Sequence, residues 1–174
     1  MENMQRNNKI RLILRIILPI ACVFWLAFIF GNSLQTGEQS AAQSTAVVDK
    51  VQQVAQVIAP QSPIANATGE AYDRLHIQIR DLAHFIQFMV LGILVGWCYL
   101  AYSLKLRYFF VPVILMLLIP IFDEWIQGCF SEGRGAELAD VLNDTLGALI
   151  GLIVALISGF IAVWMYRRKT RKVA

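Results

Sequence analysis

Apolar residues along this chain fall in four long blocks rather than in short alternating runs. The blocks cover residues 12–30, 82–104, 108–125 and 138–166. A hydrocarbon layer about 30 Å thick is crossed by about 20 helical residues. Each block therefore predicts a membrane-spanning helix. The first follows Arg6, Lys9, Arg11 and Arg15, as a secretory leader would. Its apolar stretch of about 19 residues exceeds the 7–15 of a leader's apolar region, so it reads as a span and not as a cleaved segment. The third block contains Pro112 and Pro120. The fourth is about 29 residues long, enough to cross at a tilt or with projecting ends.

The one long polar stretch is 31–81. Within it Val47, Val51, Val54 and Ile58 fall at i, i+4, i+7 and i+11, one apolar stripe of an amphipathic helix. This helix is expected to start between Gly37 and Ser40 and to stop before Pro60. Lying on the bilayer or capping the bundle as a packed lid are both open to it. Residues 61–69, which directly follow Pro60 and hold Pro63 and Gly69, read as loop.

Composition agrees with lipid as the solvent. Apolar residues make up 57% of the chain and charged residues 16%, against about 45–50% and about 25% in soluble domains. Cys22, Cys98 and Cys129 show no Cys-x-x-Cys spacing, so they read as small apolar residues and not as a disulfide framework or a zinc site. The charges are segregated. Of the 15 basic residues only Lys50, Arg74, Arg80 and Arg134 lie outside the two termini and the 104–108 turn. Positive charge is retained in the cytoplasm during insertion. The expected protein is all-α: a bundle of four transmembrane helices in the plasma membrane, with an extracellular amphipathic helix between the first two. The basic segment 1–11 and the basic tail 167–174 are cytoplasmic, and the membrane domain is 12–166. Segments 31–81 and 126–137 face outward. The bilayer is the partner this composition demands, and nothing in it suggests nucleic acid.

Ionisable residues next to a span are functional candidates, because an unpaired charge in lipid is costly. Here they gather at the outer end of three spans. Arg80 and His84 stand at i, i+4 on one helix face. Asp123 and Glu124 lie at the end of the third span, with Gln127 one turn on. Arg134 sits between Gly133 and Gly135, and Asp140 and Asp144 stand at i, i+4 at the start of the fourth span. Asp144 to Trp164 is about 30 Å of helix, so Asp144 is expected near the outer edge of the hydrocarbon. Tyr108 to Asp123 is only about 22 Å, so Asp123 is expected below that surface. Guanidinium groups suit a phosphate or carboxylate, and the acids would orient them. The bland alternative is that these charges only pair with one another and hold the helices in register. One histidine among carboxylates lacks a diagnostic metal-ligand spacing, and no metal or cofactor is assigned. Gly147, Gly151, Ala148 and Ala155 form a small-residue face for close helix packing.

The stretches Ile29-Phe30-Gly31-Asn32-Ser33-Leu34-Gln35-Thr36-Gly37-Glu38-Gln39-Ser40, Arg80-x-x-x-His84, Asp123-Glu124-x-x-Gln127, Gly133-Arg134-Gly135 and Asp140 to Gly147 occur here in order. Together they resemble the VanZ-like family of membrane proteins, over about residues 10 to 165. Gln87 and Phe88 stand where that family often has an acid and a tyrosine. The resemblance implies a bacterial envelope protein with an effect on susceptibility to glycopeptides of the teicoplanin type. It supplies no reaction. The leading expectation is a non-enzymatic protein whose outer cluster (Arg80, His84, Asp123, Glu124, Gln127, Arg134, Asp140 and Asp144) recognises the head group of a lipid or a lipid-linked wall precursor. The alternatives are a membrane enzyme acting on a lipid-linked substrate, with His84 and an acid exchanging protons, and a small transporter. Transport is disfavoured because no charged path crosses the spans, and catalysis because no nucleophile motif is present.

Overall fold

The structure is a computed structural model that describes residues 2–102 and 105–171. The described residues form five long helices: α1 Glu2–Ser33, α2 Gly37–Ile58, α3 Glu70–Tyr102, α4 Phe110–Phe130 and α5 Leu138–Arg171. A short 3-10 turn, Leu106–Tyr108, leads into α4. Four helical segments are long and apolar enough to cross a membrane: Lys9–Ser33, Glu70–Tyr102, Leu106–Phe130 and Leu138–Tyr166.

The buried core is small. Ile29, Phe88, Leu91, Met116, Ala148 and Leu152 form it, one cluster drawing on α1, α3, α4 and α5. Large apolar side chains such as Phe24, Phe28, Leu118, Phe122, Ile150 and Phe160 instead stand exposed around the outside. In water such a surface would drive association; in lipid it is the solvated surface. The multi-pass membrane class is thus visible in which residues the bundle leaves uncovered.

The tightest contact is between α3 and α5. A Cβ added at Gly147, Gly151 or Gly92 would collide with the backbone of Phe85, Met89 or Ala148 respectively. Gly96 meets the Ala155 methyl in the same way. The small-residue face read from Gly147, Ala148, Gly151 and Ala155 is therefore matched by glycines on α3, and the two backbones touch. Cys22 of α1 and Cys98 of α3 bring their sulfurs to 3.7 Å. Near the other end of these two helices from the acidic cluster, Arg11 and Arg15 donate to the Ala101 carbonyl.

Several boundaries differ from those the sequence suggests. The helix carrying the second span begins at Glu70, not at 82, because nothing between Glu70 and Asp81 breaks a helix. The break is Gly69, whose φ of 55° only glycine adopts easily. The expected end of that span, residue 104, lies outside the described residues. The third span continues to Phe130 rather than ending at 125, so the following loop shrinks to residues 131–137. The basic residues before the first span extend its helix rather than forming a separate segment, and α5 likewise runs into the basic tail.

Helix α2 starts and stops as its sequence suggests, opened by a capping box in which Thr36 and Gln39 satisfy each other's backbone N–H. Its buried face is different. Ser44 and Val48 point inward, whereas Val47, Val54 and Ile58 of the expected stripe are exposed. Polar contacts set the rotation: Tyr72 donates to Asp49 at 3.0 Å, and His76 Nε2 lies 3.1 Å from the Ala41 carbonyl. The 59–69 connection is held to α2 by Gln52, which donates to the Ala67 carbonyl at 2.9 Å.

Candidate functional site

Four chain segments meet at one end of the bundle: the end of α1, the starts of α3's apolar portion and of α5, and the last turns of α4. The i, i+4 pairs on α3 and α5 face each other as two rungs. Arg80 donates to Asp140 at 3.1 Å, and one turn deeper His84 Nδ1 lies 3.4 Å from Asp144 Oδ2. The close approach of the two helices sets this pairing, because Gly147 lets α5 lie against α3 at Phe85.

From α4 come Asp123, Glu124 and Gln127, all buried. Asp123 is 0% exposed and accepts on both oxygens. The Ser33 hydroxyl donates to Oδ1, and Gln127 donates to Oδ2 at 2.9 Å. Ser131 donates in turn to the Ser33 carbonyl at 2.5 Å, tying the end of α1 to the end of α4. Glu124 has another task. Its Oε1 accepts from the Glu137 backbone N–H at 2.6 Å, just ahead of α5, where a carboxylate suits the helix dipole. Its Oε2 is buried without a hydrogen-bond partner among the described residues.

The loop after α4 delivers Arg134. Gly133 turns the chain with φ 75°, and the half-buried Arg134 side chain projects into a cavity of about 230 Å³. Arg80, Gln127, Asp140 and His76 also line it, with the start of α2 along one side. Arg134 Nη2 is buried without a hydrogen-bond partner among the described residues. Burial, and then the charge of Arg80, lower its pKa from the ordinary value, yet an arginine keeps its proton in proteins. The cavity thus holds a cation short of an acceptor.

The eight residues singled out in the sequence therefore gather at one end but in three roles. Arg80, Gln127, Arg134 and Asp140 line the cavity. His84, Asp123 and Asp144 form a deeper group whose donor atoms all lie within 4.8 Å of one another. Gln127 joins the two groups through its bond to Asp123. Glu124 braces the loop. Sequence reasoning missed Ser33, His76, Glu137 and Ser131. The signal for Ser33 was its place at the close of an apolar span, where a hydroxyl has few partners. Among the described residues, every buried charged side chain lies at this end of the bundle.

A four-span helical bundle with one polar end, built on Ser33, Arg80-x-x-x-His84, Asp123-x-x-x-Gln127 and Asp140-x-x-x-Asp144, defines a class of small multi-pass membrane proteins. The profile of the family described as VanZ/LLP1 matches residues 18–161, and the chain belongs to that family. Neither the curated proteins nor the solved structures returned a match.

Proposed function

We propose that the polar end faces the outside of a bacterial plasma membrane and binds the anionic head group of a lipid or lipid-linked wall precursor. In this reading both termini are cytoplasmic, the side that the basic clusters favour. Helix α2 is then extracellular and forms one wall of the cavity. The observation that carries the proposal is the buried, unpartnered Nη2 of Arg134 in a cavity shared with Arg80. A phosphate or carboxylate supplies the missing acceptor, and two guanidinium groups hold it in fixed geometry. Membership of the family supports an effect of this binding on susceptibility to teicoplanin-type glycopeptides.

The test is expression in a sensitive Gram-positive host, with drug tolerance as the readout. The parent is expected to raise tolerance. Arg134→Lys keeps the charge but loses the planar fork, so it is expected to abolish the effect at normal membrane abundance. Glu70→Gln changes an exposed acid that pairs with Arg74, and should protect as the parent does. Equal protection by an abundant Arg134→Lys protein contradicts the proposal. One observation favours a second reading, a membrane enzyme acting on a lipid-linked substrate: the His84–Asp144 pair beneath the cavity is suited to proton transfer.

A further inference from the structure

The deeper group has unused acceptor capacity that the anion cavity does not account for. Asp123 and Asp144 are 0% and 1% exposed, and both face the single imidazole of His84. Two buried carboxyl groups thus share one imidazole, in surroundings where an unmatched charge is costly. Arg80 is engaged by Asp140, and Arg134 projects into the cavity instead. Asp144 Oδ1 is buried with no hydrogen-bond partner among the described residues. Each Asp123 oxygen accepts one hydrogen bond, and a carboxylate oxygen has a second lone pair.

The distances leave room for a cation between these groups. The 3.4 Å between His84 Nδ1 and Asp144 Oδ2 is long for a charge-assisted hydrogen bond, which runs about 2.7–2.9 Å. It is close to the edge of a tetrahedron whose metal–ligand bonds are about 2.1 Å, roughly 3.4 Å. All three donors fall within 4.8 Å of one another, so closing them on one ion with edges of about 3.4 Å takes side-chain shifts of about 1.4 Å at most. The hydrogen bonds of Ser33 and Gln127 to Asp123 are the kind of outer support that fixes a ligating carboxylate.

We propose that His84, Asp123 and Asp144 bind one divalent transition-metal ion, Zn²⁺ or Mn²⁺, beneath the cavity. An imidazole with two carboxylates and no thiolate selects such an ion. Calcium would demand six to eight oxygen ligands. Two carboxylates neutralise the ion's charge, and Asp144 Oδ1 gains a partner. Three protein ligands leave coordination positions open, as in sites where a metal meets a small molecule. Ser33 and Gln127 are positioning residues that act through Asp123. The proposal stands independently of what fills the cavity.

The test uses the purified full chain in detergent micelles. Metal content is measured by mass spectrometry, and Mn²⁺ binding by electron paramagnetic resonance after treatment with EDTA. The parent is expected to bind about one ion per chain, with Zn²⁺ competing, and the ion should raise its thermal unfolding temperature. Asp144→Asn and His84→Gln should each weaken binding by at least tenfold. Ser33→Ala should weaken it by about 10–100-fold, while Glu70→Gln should leave it unchanged. The parent alone also decides, whatever the ligand variants do to folding. A parent chain that is monodisperse and helical, yet binds neither Mn²⁺ nor Zn²⁺ at millimolar concentration, overturns the proposal. A folded Asp144→Asn chain that binds as tightly as the parent overturns it as well. Neither readout depends on antibiotic tolerance or on an anion in the cavity.

Discussion

Asp123 is the residue on which the polar end turns. It accepts from Ser33 on one side and Gln127 on the other, so α1 and α4 are joined through a carboxylate that is fully buried. Asp123→Asn keeps the shape but removes the charge, and its NH₂ finds an acceptor only if the Ser33 hydroxyl turns its proton to the Ile29 carbonyl or the Gln127 amide flips. A donor left unsatisfied there costs about 1–3 kcal/mol. Thermal unfolding in detergent, followed by circular dichroism, should show a lower midpoint for Asp123→Asn; an unchanged midpoint would mean that Asp123 does not tie the helices. At this scale much was legible in the sequence. The i, i+4 spacings of Arg80 with His84 and Asp140 with Asp144 put each pair on one face, and the pairs meet as two rungs. The structure buries Asp123 completely within the bundle. The assembly of His84, Asp123 and Asp144 was not legible, because its members come from three helices and spacing along one chain says nothing of their rotation about each other.

The helices themselves owe their positions to small residues and to polar caps. Gly151 of α5 lies against the Met89 carbonyl with no room for a side chain. Gly151→Leu should separate α3 from α5 and break both rungs of the polar end. Overpacking costs about 1–3 kcal/mol or more, so reduced membrane accumulation and a lower unfolding midpoint are expected; a protein of parental stability would contradict the packing. The contact of α1 with α3 has a chemical test. Cys22 and Cys98 lie 3.7 Å apart, so a membrane-permeant oxidant should join them, protecting both from a denaturing thiol label while Cys129 stays reactive. Labelling of all three cysteines after oxidation would place α1 elsewhere. Helix α2 shows the limit of periodicity. Its ends were legible from Thr36, Gln39 and Pro60, but its buried face was not. The valine stripe pointed to Val47 and Val54, whereas contacts from Tyr72 and His76 turn Ser44 and Val48 inward. A short helix with few apolar residues takes its rotation from its neighbours' polar groups.

For the whole molecule, segregation of charge along the chain becomes segregation in space. The buried acids and the cavity occupy one end, and Arg11 and Arg15 sit by Ala101 near the other end of α3. The spans were legible because lipid demands long apolar blocks whatever the fold. Their ends were less so, because α3 and α4 run on as helix beyond the apolar blocks. The orientation proposed from the basic clusters has a simple check in a chain lacking Cys129, which is exposed at the end of α4. A cysteine introduced at Thr45 should react with an impermeant reagent added outside whole cells, and one at Leu106 or Arg171 should not. Outside labelling at position 171 would reverse the orientation. The cradle itself is tested most directly by native mass spectrometry of the purified chain with a polyprenyl phosphate. The parent is expected to retain one lipid per chain, while Arg134→Lys should bind at least tenfold more weakly and the unphosphorylated alcohol should not compete. Equal retention of phosphate and alcohol, or an Arg134→Lys chain that holds the phosphate as the parent does, would contradict an anion site between Arg80 and Arg134.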